Sequence, residues 1–316
     1  LPVIAITAGD PGGIGPEITV KALKDRAVRR LCRTVVLGDP GVMKAAGWRP
    51  GLGEMFPVAL VGRLARGKVT AANGDQSFRA VRLGAALALG RKVAALVTAP
   101  VCKEAWALAH AGHLGHTGFL QELSGSKRVA MMFEADGLRA ALVTGHIPLR
   151  AVPDALKPAD VAGTARLVHE ELRARLGIRK PRIAVCALNP HAGEHGLLGK
   201  DETALARAVR GLRGLGIVGP IAADAAWAAM RVGGYDAVVA LYHDQALIPL
   251  KTASPYGVVH WTLGLPFVRT SPGHGTAFDI AGKRVARPEA MIEAIKTAVR
   301  LSLTLPSPRS AGRGDK

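Results

Sequence analysis

Residues 1–17 read LPVIAITAGDPGGIGPE, and this opening stretch decides the fold class. Val3 to Thr7 is a short apolar run, long enough for a buried strand and too short for a helix. It ends in glycines at 9, 12, 13 and 15, followed by Pro16 and Glu17, a proline and an acid placed where a helix begins. Strand, glycine turn and helix start make half of a βαβ unit. Comparable runs rich in Val, Ile and Ala recur at 34–38, 94–98, 138–144, 182–188 and 236–242, with helix-like stretches between them. That alternation predicts parallel strands covered by helices, because a parallel connection needs a crossover. The fold class is α/β. The glycine turn itself has two readings, a tight structural turn and a ligand loop feeding a helix N-terminus; its spacing is not GxGxxG.

The chain has 316 residues, 49% of them apolar and 38 of them glycine, enough for a large core and roughly two domains on the usual prior. The apolar runs are too short to span a membrane. The N-terminal run lacks a basic leader and a small-residue cleavage site, so it reads as a strand and places the protein in the cytoplasm. Cys32, Cys102 and Cys186 form no CxxC pair and read as reduced, structural thiols. A net charge of +18 would attract phosphates. Its arginines are dispersed, without the interleaved aromatics of a single-strand binder, so a basic nucleic-acid-binding protein is the remote alternative. No repeat of 20 to 50 residues is present. Residues 306–316, PSPRSAGRGDK, have too little apolar surface to pack and are predicted to be disordered.

Three histidines follow strand-like runs: His146 in TGHIPL, His191 in NPHAG and His243 in YHDQ. Open α/β sheets bind ligands beyond the carboxyl ends of their strands, so these imidazoles are predicted to converge on a divalent metal, leaving coordination open for substrate oxygens. Asp244 either orients the His243 imidazole or caps a helix. His116 and Thr117 sit between glycines in GHTG, a turn suited to an anionic or hydroxylated substrate and equally to a structural role. Lys251 and Arg269 are cations suited to phosphate or carboxylate. The small residues of 273–282, GHGTAFDIAG, allow a loop to wrap a flat ligand such as adenosine.

In this order, GDPGGIGPE, VTAP, GHTGFL, HIPLR, NPHAGE, YHDQ, TLGLPFVRTS and HGTAFDIAG resemble the 4-hydroxythreonine-4-phosphate dehydrogenase family of pyridoxal phosphate biosynthesis, over nearly the whole chain. The resemblance implies an isocitrate/isopropylmalate dehydrogenase-like fold with two α/β/α subdomains flanking a cleft, here divided as 1–120 with 265–305 on the cofactor side and 121–264 on the metal, substrate and dimerisation side. It implies a homodimer with the site at its interface, and a zinc, magnesium or cobalt ion on His146, His191 and His243. Substrate contacts fall on His116, Thr117, Lys251, His260 and Arg269, and the candidate catalytic side chains are Lys251 and Asp244.

The reaction so implied oxidises 4-phosphooxy-threonine and decarboxylates it to 3-amino-2-oxopropyl phosphate, with no nucleic acid or membrane partner. The loop carrying His274, Gly275, Asp279 and Ile280 resembles the superfamily's adenosine loop. An acidic Asp279 accepts from a ribose diol and repels a 2′-phosphate, which favours NAD over NADP. Two positions depart from the family's pattern. Gly118 stands where it usually has Glu after His-Thr, and His260 stands where it usually has Asn. Both fall on substrate recognition, so phosphorylated threonate or erythronate and aromatic cis-dihydrodiol carboxylates are the alternative substrates.

Overall fold

The computed structural model describes residues 1–303, so the tail expected to be disordered lies outside the described residues. The opening stretch folds as read: β1 is Val3–Thr7, and a helix begins at Gly15 and runs to Lys24. The turn between them is tightly packed. Gly9 has φ +76°, and a Cβ there would lie 2.4 Å from the Pro100 carbonyl; one on Gly15 would lie 2.2 Å from the Ala8 carbonyl. Asp10 is wholly buried and accepts from the Gly12 N–H at 2.8 Å. Burial raises its carboxyl to about 6 against that hydrogen bond.

Ten further strands follow: β2 Arg33–Gly38, β3 Glu54–Pro57, β4 Ala95–Thr98, β5 Ala130–Ala135, β6 Leu138–Leu142, β7 Ile183–Cys186, β8 Ile217–Ile221, β9 Ala237–Ala240, β10 Val259–Leu263 and β11 Val268–Pro272. They form one eleven-stranded sheet in the order β3-β2-β1-β4-β11-β10-β5-β6-β9-β7-β8. Segments 1–120 and 265–303 supply the strands at one end and 121–264 those at the other, meeting where β11 pairs with β10.

Alternation within the strands buries both faces, as a continuous apolar run requires. Ile4, Ile6, Ala95 and Val97 pack with Met291, Ala294, Ile295 and Ala298 of the helix Glu289–Leu303, while Ala5 and Leu96 pack with Ala80, Val81 and Ala85 of the helix Ala71–Leu89. In the other half, Ile183, Val185 and Val239 meet Val161, Ala165 and Val168 of the helix Pro158–Leu176. Ala184, Val238 and Ala240 meet Ala226 and Met230 of the helix Ala223–Arg231 and Leu247 and Leu250 of the helix His243–Ala253.

The α/β alternation holds for most of the sheet, but its middle is not parallel: β11–β10, β10–β5 and β5–β6 are antiparallel. Short connections enforce this. Asp136 and Gly137, both at positive φ (50° and 77°), join β5 to β6 as a two-residue hairpin, and only residues 264–267 join β10 to β11. Three reversals leave the block β6-β9-β7-β8 running against β1 and β4. Even so, the loops after β4, β6 and β9 reach one cleft. Neighbouring strands rotate by about 20 to 25° each, so the five steps from β4 to β9 accumulate about 100° or more, turning opposed strand ends toward one another.

Candidate active-site cleft

The floor of that cleft is one face of β4, β11, β10 and β5. Period-two alternation puts Arg269 and Ser271 on the same side of β11, His260 and Thr262 on that of β10, and Met131 and Phe133 on that of β5; β10 pairs His260 with Ser271 on one flank and with Phe133 on the other. The His260 ring stacks on Phe133 at 5.0 Å. Met131, Phe133, His260, Arg269, Ser271 and Thr98 all line the cleft, whose volume is about 610 Å³.

Arg269 is the dominant electrostatic feature. It is 2% exposed, and its guanidinium bonds only to neutral groups. Nη2 donates to Thr98 Oγ1 at 2.6 Å, and Nη1 donates to Thr262 Oγ1 at 3.0 Å and faces His260 Nδ1 at 3.2 Å, while Nε is buried without a partner. Burial pulls its pKa down to about 9. A desolvated cation without a counter-charge is costly, and in a cleft it is a preformed seat for an anion.

The helix His116–Ser124 opens on Gly115, at φ 150°, and brings His116, Thr117 and Gly118 to the rim. His116 Nε2 is buried without a partner. Burial, then Arg269, then His260 hold its imidazole well below the usual range, so it is neutral. His260 is held down likewise by burial, then Arg269, then His146. Lys103, on the helix that follows β4, and Lys251, on the helix after β9, complete the basic wall with His274 and Gly275.

His146, in the loop after β6, and His243, first residue of the helix after β9, face each other across the cleft with ring centroids 5.3 Å apart. Burial, Lys103 and His243, in that order, lower the His146 pKa. His243 Nδ1 lies 2.7 Å from Asp244 Oδ1, so Asp244 fixes the ring and leaves Nε2 outward; it does not cap the helix. Two imidazoles, one oriented by a carboxylate, are a donor pair that fits a divalent cation.

His191 is not with them. Among the described residues no group of three His, Cys, Asp or Glu side chains in the chain can hold a common ion. His191 is exposed on a loop after β7 in which residues 191–195 all have positive φ, between 42° and 76°. Glu202 holds the loop's base by accepting from the backbone N–H groups of Leu188 and Asn189 at 3.1 and 2.8 Å.

Beside the cleft, and sharing Lys251, Gly273, His274 and Gly275 with it, lies an apolar pocket of about 380 Å³ lined by Ile14, Tyr256, Val258 and Ile280. Arg287 stacks over the Tyr256 ring at 4.1 Å. Ile280 enters this pocket, while Asp279 is exposed and lines neither cavity. Of the residues singled out from the sequence, His116, Thr117, His146, His243, Lys251, His260, Arg269, His274 and Gly275 share the cleft. Sequence reasoning missed Thr98, Lys103, Met131, Phe133 and Ser271. The alternation in β10 and β11 and the lysine just past VTAP were their available signals. The cysteines are free, and burial raises Cys32 to about 11 and Cys186 to about 12, inert as expected.

A sheet covered on both faces, with a basic histidine-bearing cleft joined to an apolar pocket, defines an α/β enzyme for a small anionic substrate. The chain belongs to the family described as pyridoxal phosphate biosynthetic protein PdxA, whose model matches residues 22–298. It is 40% identical to a 4-hydroxythreonine-4-phosphate dehydrogenase of Ruegeria sp. (strain TM1040), over 96% of this chain and 97% of that one. It is also 40% identical to a D-threonate 4-phosphate dehydrogenase of Cupriavidus necator, over 96% and 98%. The crystal structure of 4-hydroxythreonine-4-phosphate dehydrogenase from Klebsiella pneumoniae matches with a TM-score of 0.87 and 38% identity, covering 96% of this chain and 100% of that one. The protein is accordingly a dehydrogenase, an oxidoreductase acting on a CH–OH group. No helix among the described residues is long and apolar enough to cross a membrane.

Proposed function

We propose that the protein oxidises the 3-hydroxyl of a four-carbon hydroxy acid 4-phosphate and releases its carboxylate as carbon dioxide, as a homodimer using NAD and a divalent cation. The relatives' names give two such compounds, alike except at C2, which bears an amino group in 4-hydroxythreonine 4-phosphate and a hydroxyl in threonate 4-phosphate. The observation that carries the reading is Arg269, a buried cation whose partners are all neutral, at the floor of a cleft that also holds the His146–His243 pair.

Arg269 and His116 bind and orient the anionic substrate, Thr98 and Thr262 hold the guanidinium flat against the floor, and Phe133 fixes the His260 ring. Lys251 stands where the cleft opens into the apolar pocket and is the amine placed to move the carbinol proton. Bound NAD would supply the acceptor for the C3 hydride, and a divalent cation held by His146 and His243 would supply the positive charge that polarises the C3 oxygen and steadies the electrons left by loss of carbon dioxide. His146 and His243 would hold that cation from one chain, with the exposed His191 loop of a second copy supplying the third imidazole. The apolar pocket with Ile280, Tyr256 and Arg287 takes the adenosine end, and the acidic Asp279 nearby in sequence favours NAD over NADP.

The test is a panel of four-carbon hydroxy acid phosphates with NAD or NADP and a divalent cation, followed by nicotinamide absorbance. Chelation abolishes turnover, and His191→Ala lowers metal content without unfolding the protein. Full activity of metal-free enzyme, or no turnover of any member of the panel, overturns the reading.

A further inference from the structure

We infer that Arg287 is the side chain through which the enzyme distinguishes NADP from NAD: its guanidinium gives the 2′-phosphate of NADP a partner, and Glu289 competes for it. This rests on the adenosine end lying in the apolar pocket, as proposed above, and adds the group that reads the ribose there. Three observations carry it.

The first is the lining of the pocket. Tyr256 and Val285 on its wall are 56% and 62% exposed, apolar surface that a flat, uncharged ring would cover. Among the described residues, two that carry a formal charge line it. Lys251 also lines the cleft, whereas Arg287 does not. Asp279 lines neither cavity, so Arg287 is the charged group that a substituent on the ribose meets. On the proposed function a second copy approaches at His146 and His243, and neither of these lines the pocket.

The second is the state of the guanidinium. Its carbon lies 4.1 Å from the centroid of the Tyr256 ring, within the range of a cation–π contact. Stacking restrains the group without consuming its N–H donors, and among the described residues the side chain makes no hydrogen bond. A fork of free donors matches phosphate oxygens, while the 2′-hydroxyl of NAD offers it a single neutral acceptor.

The third is the position of Glu289. Its Oε1 lies 3.8 Å from Arg287 Nη1, an ion pair too long to be a hydrogen bond, between side chains 47% and 60% exposed. Glu289 lines a neighbouring groove that shares Pro255 and Tyr256 with the pocket, and does not line the pocket itself. It therefore draws on Arg287 from outside, and leaves the guanidinium open to a phosphate within.

The experiment measures calorimetric binding of adenosine 2′,5′-bisphosphate and of 5′-AMP, which differ only in the 2′-phosphate, alongside kcat/KM for NADP and NAD. Wild type, Arg287→Gln and Glu289→Gln are compared. Both positions are exposed, so the variants fold as wild type does, and ratios within each protein cancel any loss of active fraction. Arg287→Gln lowers the affinity ratio of bisphosphate to monophosphate about tenfold, the scale of a hydrogen bond to a charged group, and lowers the NADP to NAD ratio of kcat/KM with it. Glu289→Gln raises both ratios about threefold, as loss of an exposed competitor should. Ratios unmoved by Arg287→Gln overturn this inference and leave the adenosine placement standing; they would mean that the guanidinium only supports the Tyr256 ring. If neither nucleotide binds, or if Ile280→Glu leaves both affinities as they are, the adenosine placement falls as well.

Discussion

Replacing Arg269 with Met separates what the side chain does for the substrate from what it does for the fold. Arg269 is 2% exposed, and burial pulls its pKa down to about 9. That depression corresponds to unfavourable desolvation on the order of 5 kcal/mol in the ligand-free protein. Met has similar length and no charge, so Arg269→Met removes this cost. It also removes the donors serving Thr98, Thr262 and His260, each worth about 1 kcal/mol. The balance is a stabilisation of about 2 kcal/mol, or a rise in Tm of about 4 °C for a chain of this size. Substrate binding moves the opposite way: losing one partner of a desolvated charge pair lowers kcat/KM on the order of a thousandfold.

The assay is thermal unfolding of the ligand-free proteins, repeated with inorganic phosphate as a stand-in anion. Phosphate raises the Tm of wild type and leaves that of Arg269→Met unchanged. A ligand-free variant that melts several degrees below wild type would refute the reasoning. It would mean that the guanidinium is already compensated and is there to hold the strands together.

Two further outcomes test the fold around the cleft. Asp10 is the pH-sensitive group: its folded pKa of about 6 lies above the ordinary carboxyl value of 3.8, so the native state binds the extra proton, and stability falls as pH rises from about 4 to 6 and stays lower above that. Asp10→Asn keeps an acceptor for the Gly12 N–H and cannot ionise, so at pH 7.5 it is more stable than wild type by up to about 3 kcal/mol, seen as a higher Tm, and the excess becomes small at pH 4; an excess independent of pH contradicts this. Gly74→Ala places a Cβ 2.0 Å from the Ala105 carbonyl oxygen, where the helix Ala71–Leu89 crosses the helix Lys103–Leu108. Denaturant titration should show a loss of at least about 2 kcal/mol, against a small gain if the helices simply slid apart and helix propensity governed.

The parallel parts of the sheet were legible because strands buried on both faces read as unbroken apolar runs; all six runs taken as strands are strands, although 138–144 ends at Leu142. What escaped notice was the middle. In β10, VHWTL, and β11, VRTSP, one face packs on the helix Glu289–Leu303 while the other lines a cleft, so polar residues occupy strand positions. The same holds for MMFEA of β5, and the Asp136-Gly137 signal that would have revealed the hairpin is brief beside the long α/β alternation. The histidines and Arg269 were legible as chemistry, but their neutral partners Thr98, Thr262 and Ser271 were not. A hydroxyl that supports a cation leaves no trace in composition or spacing. His191 was placed with the other two from its position after a strand, and that position holds. Where its loop then turns is set by a run of left-handed residues that sequence alone does not announce.

That run bears on how the site is built. A non-glycine residue in the left-handed region costs roughly 1 kcal/mol, and His191, Ala192, Glu194 and His195 all occupy it on an exposed loop. Glu202, 7% exposed, has its carboxylate engaged with two backbone N–H groups and with the Asn189 amide at 3.1 Å; a Cβ on Gly193 would come within 2.6 Å of its other oxygen. Arg269 presents the same situation in another form, an unfavourable local arrangement fixed by buried neighbours. In both places a cost is held in the isolated chain by groups that have no other evident task, and on the proposed function each would be repaid by a binding event: an anion for Arg269, and a cation reached across a dimer for His191. On that proposal the metal site is incomplete in a single chain. It follows that metal affinity should depend on protein concentration through the dimer equilibrium, whereas anion binding to Arg269, whose contacts all come from one chain, should not.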